Sequence, residues 1–167
     1  GMLWDGTIES DIVVNLPDLL RGSLTGTYIL KTKFKELDIS SIRFNSLDKW
    51  TPITGTANGS IKTQDSLNNT IQTSGKLKIN DLSLKNKIPY TVKQATISFS
   101  KKSPRKTLAR IRFDDLQLNN IFLNSFSSLL QLSPEKFLFN NGRIIPLNGV
   151  ILFSGDYRRK PNTYVLR

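Results

Sequence analysis

The chain contains no cysteine and no histidine. The first absence excludes disulfide scaffolds and thiolate metal sites, without fixing a redox compartment. The second removes the commonest general base, the commonest metal ligand and the side chain that changes charge near neutral pH. Neither a Ser-His-Asp nor a Cys-His arrangement can be assembled. Long apolar runs are also missing. They stop after a few residues, as at Leu152-Phe153, far short of the ~20 that a membrane-spanning helix requires. The opening Gly1-Met2-Leu3-Trp4-Asp5 has neither the basic start nor the apolar centre of a secretion signal. Gly1 before Met2 reads as a scar of tag removal, and a strand pattern begins at once with Gly6-Thr7-Ile8. The expectation is an excised piece of a longer protein whose anchoring segment lies upstream.

Within its 167 residues the chain has the size of one domain, 1–167, and 38% hydrophobic content argues for a folded core. Alternation of apolar and polar residues at period two dominates, which predicts strands. Ile8, Ser10, Ile12, Val14 and Leu16 share one face, and Pro17 ends that run. Tyr28, Leu30, Thr32 and Phe34 follow, with Lys31, Lys33 and Lys35 pointing the other way. Ile71, Thr73, Gly75, Leu77 and Ile79 repeat the pattern against Gln72, Ser74, Lys76 and Lys78. The phase shifts at Lys35-Glu36 and again at Asn80-Asp81, which predicts a bulge or tight turn at each.

Further on, Val92, Ile97 and Phe99 lead to a polar turn at Lys101-Lys102-Ser103-Pro104, and Ala109, Ile111 and Phe113 alternate with Arg110 and Arg112 on the return. Residues 122, 126, 129 and 130 are apolar at helical spacing, which predicts a short helix capped by Asn120 or Asn124 and docked on the sheet. Asn140-Asn141-Gly142 reads as a turn, and Pro146 confines its strand to an edge or an end. Glycine recurs before apolar residues, as in Gly59-Ser60-Ile61 and Gly75-Lys76-Leu77, at irregular spacing. Glycines inside strands allow a sheet to bend. The fold class that follows is mostly β: a long, curved antiparallel meander, forming a groove or partly open barrel, with one short docked helix.

Little in this pattern carries chemistry. Asp114-Asp115 is the one adjacent acidic pair; neighbours on a strand point to opposite faces, so a surface turn is the expectation. Gly55-Thr56-Ala57-Asn58-Gly59 lacks the Lys-Ser or Lys-Thr of a phosphate loop and reads as a bend. No calcium-loop motif occurs. A non-catalytic protein is expected, with no metal and no cofactor.

Charge offers more. Lys plus Arg is 24 and Asp plus Glu 13, a net of +11, which attracts anions. Lys101, Lys102, Arg105, Lys106, Arg110 and Arg112 form the strongest cluster, and Arg158-Arg159-Lys160 a second. These are candidates for an anion patch facing phospholipid headgroups, an anionic membrane surface or an acidic protein partner; solvated hairpin tips are the bland alternative. No aromatic lies between Lys101 and Arg112, which argues against single-stranded nucleic acid. The apolar faces are the other candidate, as a core between layers or as a groove for acyl chains.

Three stretches resemble the AsmA-like C-terminal region: Ile53-Thr54-Gly55-Thr56-Ala57-Asn58-Gly59-Ser60-Ile61; Thr73-Ser74-Gly75-Lys76-Leu77-Lys78-Ile79-Asn80-Asp81-Leu82-Ser83-Leu84; and Asn141-Gly142-Arg143-Ile144 with Val150-Ile151-Leu152-Phe153-Ser154-Gly155-Asp156-Tyr157 and Tyr164-Val165-Leu166. The resemblance covers roughly residues 40 to 167. It implies a periplasmic segment of an envelope-biogenesis protein of Gram-negative bacteria, anchored in the inner membrane, with a curved sheet whose apolar inside handles phospholipid. On that reading Ile8, Ile12, Val14, Tyr28, Leu30, Phe34, Leu77, Ile79, Ile97, Phe99, Ile111 and Phe113 line the groove. The alternative is a structural or interaction module with a closed core and a basic face that docks an acidic partner.

Overall fold

The computed structural model describes residues 6–15, 27–40, 53–66, 70–84, 89–103, 105–158 and 163–166. They form one ten-stranded sheet in sequence order. The strands are β1 (Thr7–Asn15), β2 (Thr27–Asp38), β3 (Ile53–Ser66), β4 (Thr70–Leu84) and β5 (Tyr90–Ser103), then β6 (Lys106–Leu118), β7 (Ile121–Leu132), β8 (Lys136–Pro146), β9 (Ile151–Arg158) and β10 (Thr163–Leu166). All nine pairings are antiparallel. Each strand lies against its sequence neighbours alone, so the sheet is open and β1 does not close onto β10.

Register sorts the side chains into two faces. One is apolar: Ile8 pairs with Phe34, Phe34 with Gly59, Gly59 with Leu77, Leu77 with Ile97 and Ile97 with Ile111. The other is polar and carries Lys31, Lys33, Lys62, Lys76, Lys78, Arg110 and Arg112. The core sits on the apolar face, where Leu37, Ile39, Ala57, Ile79, Val92, Ala95 and Leu116 form one buried cluster. Ala95 is 0% exposed and Val92 2%, although no second layer is found among the described residues. Their cover comes from larger same-face neighbours, including Phe34, Leu77, Leu82 and Phe113.

Three glycines fit that scheme. Phe34, Phe99 and Phe153 each sit directly opposite one, at Gly59, Gly75 and Gly142. Each ring lies over its glycine: a Cβ on Gly75 would come 2.7 Å from Phe99 Cε1, and one on Gly59 2.8 Å from Phe34 Cζ. A ring laid over a strand glycine covers backbone that would otherwise be bare. Lying over Gly142, Phe153 also stacks on Phe126 of β7, at 5.6 Å between ring centres, and Phe126 stacks on Phe113 at 5.8 Å.

A line of ladder irregularities crosses the sheet. Glu36, Asp81 and Asp115 have φ of 54°, 53° and 52°. At each one the apolar phase jumps by three, from Phe34 to Leu37, Ile79 to Leu82 and Phe113 to Leu116, so both halves of the strand keep their large side chains on one face. Left-handed residues of this kind are frequent in bulges, and Asp tolerates the conformation better than most. Asn58 Oδ1 accepts a hydrogen bond from the Glu36 N–H at 3.0 Å, supporting the first of them.

The expected helix over residues 122–130 is absent; those residues belong to β7. The apolar spacing that suggested it is a period-two pattern broken once. Leu123 pairs with Leu116, and Phe126 with Phe113, on the apolar face, with the phase change at Asn124 between them. Phe122 and Leu129 lie on the polar face, paired with Gln117 and Arg110. Asn140-Asn141-Gly142 is likewise no hairpin turn but a bulge inside β8, with φ of 50° at Asn141. Asp114-Asp115 lies within β6, and Gly55–Gly59 within β3, rather than in a surface turn and a bend. The polar stretch 101–103 is the end of β5. The expectations for Leu16 and Pro17 lie outside the described residues.

Candidate functional site

All twelve groove candidates fall on the apolar face. Ile8, Phe34, Leu77, Ile97 and Ile111 form one row across the strands, and Ile79 and Phe113 belong to the next row towards the bulges. Phe99 lies one row the other way; beyond it come the pairs Ile12 with Leu30 and Val14 with Tyr28. Exposure grades along this face. Ile79 is buried, the residues on β2 and β4–β6 are otherwise half-buried, and Ile8, Ile12 and Val14 on β1 are 59%, 67% and 54% exposed. An apolar edge strand left this bare is a surface that apolar matter would cover.

On β3 to β6 the apolar face ends in polar residues. Thr63 pairs with Thr73, Thr73 with Lys101 and Lys101 with Thr107, one row beyond Phe99. The Thr63 and Thr73 hydroxyls are 3.5 Å apart. Asp65, two positions further along β3, has its Oδ1 buried with no hydrogen-bond partner. At the opposite end Tyr90 pairs with Leu84 and Leu118, and burial raises its phenol above the ordinary value.

The sequence-derived basic cluster is split. Lys101 is on the apolar side of β5. Arg105 and Lys106 are exposed at the β5–β6 hairpin. Arg110 and Arg112 are on the polar face, where Asp114 takes Arg112 Nε at 2.9 Å. Arg158 lies 3.5 Å from Asp156. The side chain of Lys102, and all of Arg159 and Lys160, lie outside the described residues.

A larger basic surface comes from residues that the sequence showed only as the outer side of separate strands. Lys33, Lys76, Lys78 and Arg143 join Arg110 and Arg112 on the polar face. The alternation at 31–35 and 72–78 carried this signal, but only register shows that the strands align their cations. Among the described residues no group of three or more acidic side chains is placed to hold a metal. No protein-family model, curated protein or solved structure matches the chain.

Proposed function

We propose that this chain is a non-catalytic segment of an envelope-biogenesis protein whose apolar sheet face holds or passes phospholipid acyl chains. The observation that carries the reading is the open apolar face, continuous over neighbouring strands and bare at β1. The deep burial of Ala57, Ala95 and Ala109 supports a sheet curved towards that face, since bending brings the larger side chains of that face together over the small ones. Burying a single Ile side chain such as Ile12 beneath an acyl chain contributes roughly 1.5–3 kcal/mol. Lys101, flanked by Thr73 and Thr107, offers a cation and two hydroxyls to a headgroup at the polar end. The resemblance to AsmA-like proteins supplies the compartment: the periplasm, with an inner-membrane anchor.

The alternative, an interaction module with a closed core, requires a second layer over the apolar face. Native mass spectrometry of protein purified under mild conditions separates the two. Co-purified phospholipid, displaced by Ile12→Asp and Leu30→Asp, is the expected result. A delipidated sample that binds neither fluorescent fatty acid nor phospholipid overturns the lipid reading and leaves the interaction module.

A further inference from the structure

The polar face carries a pattern that the lipid reading does not use. In two of its rows, cations and neutral hydrogen-bonding side chains alternate strand by strand, whereas in the row beside them Lys31 and Lys62 are direct partners. In one row Lys33, Ser60, Lys76, Ser98 and Arg110 are consecutive register partners on β2 to β6. In the next row Asn58, Lys78, Thr96, Arg112, Ser127 and Arg143 are consecutive partners on β3 to β8. Within these two rows the even strands bring the cations and the odd strands bring the neutral hydrogen-bonding side chains. Neighbouring strands are about 4.8 Å apart, so the cations recur at about 10 Å, and the two rows run about 7 Å apart. All six cations are exposed. Arg112 is paired with Asp114; among the described residues the other five form no ion pair, although Glu9 on β1 is the register partner of Lys33.

We propose that this face is a binding track for an extended acidic polysaccharide in which charged and neutral sugars alternate. One sugar of an extended polysaccharide chain spans about as far as one strand spacing. Each even strand then meets a carboxylate, sulfate or phosphate, and each odd strand meets sugar hydroxyls that Ser60, Ser98, Thr96 and Ser127 can bond.

A flat membrane fits the same cations poorly. Strands twist by about 20° per pair, which accumulates past about 100° between β2 and β8, so only part of the track can touch a plane. A flexible chain can follow the twist. Nucleic acid is charged at every unit, and these rows hold no aromatic side chain on which a base could stack. The track from β2 to β8 is about 29 Å long, room for about six sugars.

The test uses hyaluronate oligosaccharides, charged at every second sugar, against polygalacturonate oligosaccharides of equal length, charged at every sugar. Inorganic polyphosphate, oligothymidylate and phosphatidylglycerol vesicles complete the set. Hyaluronate affinity should rise with length to about six sugars and then level off, and should at least equal that of polygalacturonate despite half the charge. Lys76→Gln with Lys78→Gln should weaken it at least tenfold with an unchanged far-UV spectrum. Ser98→Ala with Thr96→Ala should weaken hyaluronate severalfold and leave polyphosphate unaffected. Affinity that simply follows charge, with polyphosphate and oligothymidylate ahead, overturns the proposal. So does vesicle binding lost in the lysine variant when neither sugar chain binds.

Discussion

Gly142 and Phe153 make the cleanest test of how the apolar face is held. The three atoms nearest to the place where a Gly142 Cβ would sit all belong to the Phe153 ring, and that ring stacks on Phe126. Gly142 has no positive φ, so its backbone accepts alanine. Two terms then compete in Gly142→Ala. Alanine restricts the unfolded chain and suits a strand better, a gain of about 0.5–1 kcal/mol. Displacing a packed ring costs about 1–3 kcal/mol. The ring term wins, so the variant should lose about 0.5–2 kcal/mol. In a Phe153→Ala background the obstacle is gone, and the same substitution should stabilise by about 0.5 kcal/mol.

The sign change corresponds to a coupling of about 1–2.5 kcal/mol, within the range for residues in contact. Urea unfolding followed by far-UV circular dichroism on the four proteins of the cycle measures it. Gly59 is the control, because a Cβ there also meets the Lys76 backbone carbonyl. Removing the Phe34 ring does not move that carbonyl, so Gly59→Ala should stay destabilising with or without Phe34. If Gly142→Ala costs the same in both Phe153 backgrounds, the ring is not what keeps that position glycine.

The Tyr90 phenol is raised by burial, so its neutral form stabilises the fold; that contribution is full below the unfolded phenol range near 10 and is lost as pH rises through the folded value, which ultraviolet titration against a Tyr90→Phe variant should show. Asp38 is held below the ordinary carboxylate range by the Ser40 N–H at 2.9 Å and the Ser40 hydroxyl at 2.8 Å. What it contributes is present above the unfolded carboxylate range and fades as pH falls through the folded value; Ser40→Ala should move its carbon-detected titration up without abolishing the shift, since the backbone donor remains. Reversing Arg105 and Lys106 to Glu at the β5–β6 hairpin should cut binding to acidic vesicles at low salt while leaving thermal stability nearly unchanged, because exposed tip charges contribute little to folding; equal vesicle binding by both proteins would leave them as solvated charges.

Much of this sheet was legible because period two survives where no second layer covers it among the described residues. Alternation at 28–34, 71–79 and 109–113 assigned strands and faces correctly, and the phase shifts at Glu36 and Asp81 marked real positive-φ bulges. The same device hid β7. A bulge inserts an odd step, and two period-two stretches joined by an odd step leave apolar residues three and four apart. Residues 122, 126, 129 and 130 satisfied a helical template by drawing on both faces of one strand. Asn140-Asn141-Gly142 misled in the same way, since the residues that permit a hairpin turn also permit a bulge.

The candidate surfaces differ in how far local sequence reaches. An apolar face is a property of each strand separately, so its twelve residues could be chosen without knowing which strand lies beside which. The cation rows are a property of register. Lys76 and Arg110 are 34 positions apart in sequence and share a row only because Ser98 pairs with both. The charge run from Lys101 to Arg112 stands out in a linear reading, yet in the sheet Lys101 lies on the apolar side, Arg105 and Lys106 at a tip, and Arg110 and Arg112 on the polar face. A sheet spreads consecutive residues to opposite sides and gathers alternate residues from many strands. A binding surface on it is therefore written at intervals of two along each strand and, in these rows, from 12 (Ser98 to Arg110) to 27 (Lys33 to Ser60) between strands. A register slip by one residue in β4 would carry Lys76 and Lys78 to the apolar face and Leu77 to the polar one. Holding Gly75 beneath Phe99 opposes that slip, because a ring finds room over a glycine and not over the lysine beside it, and Gly59 beneath Phe34 holds β3 against β2 in the same way. The glycine–phenylalanine pairs on one face thus fix the register on which the cation rows of the other face depend.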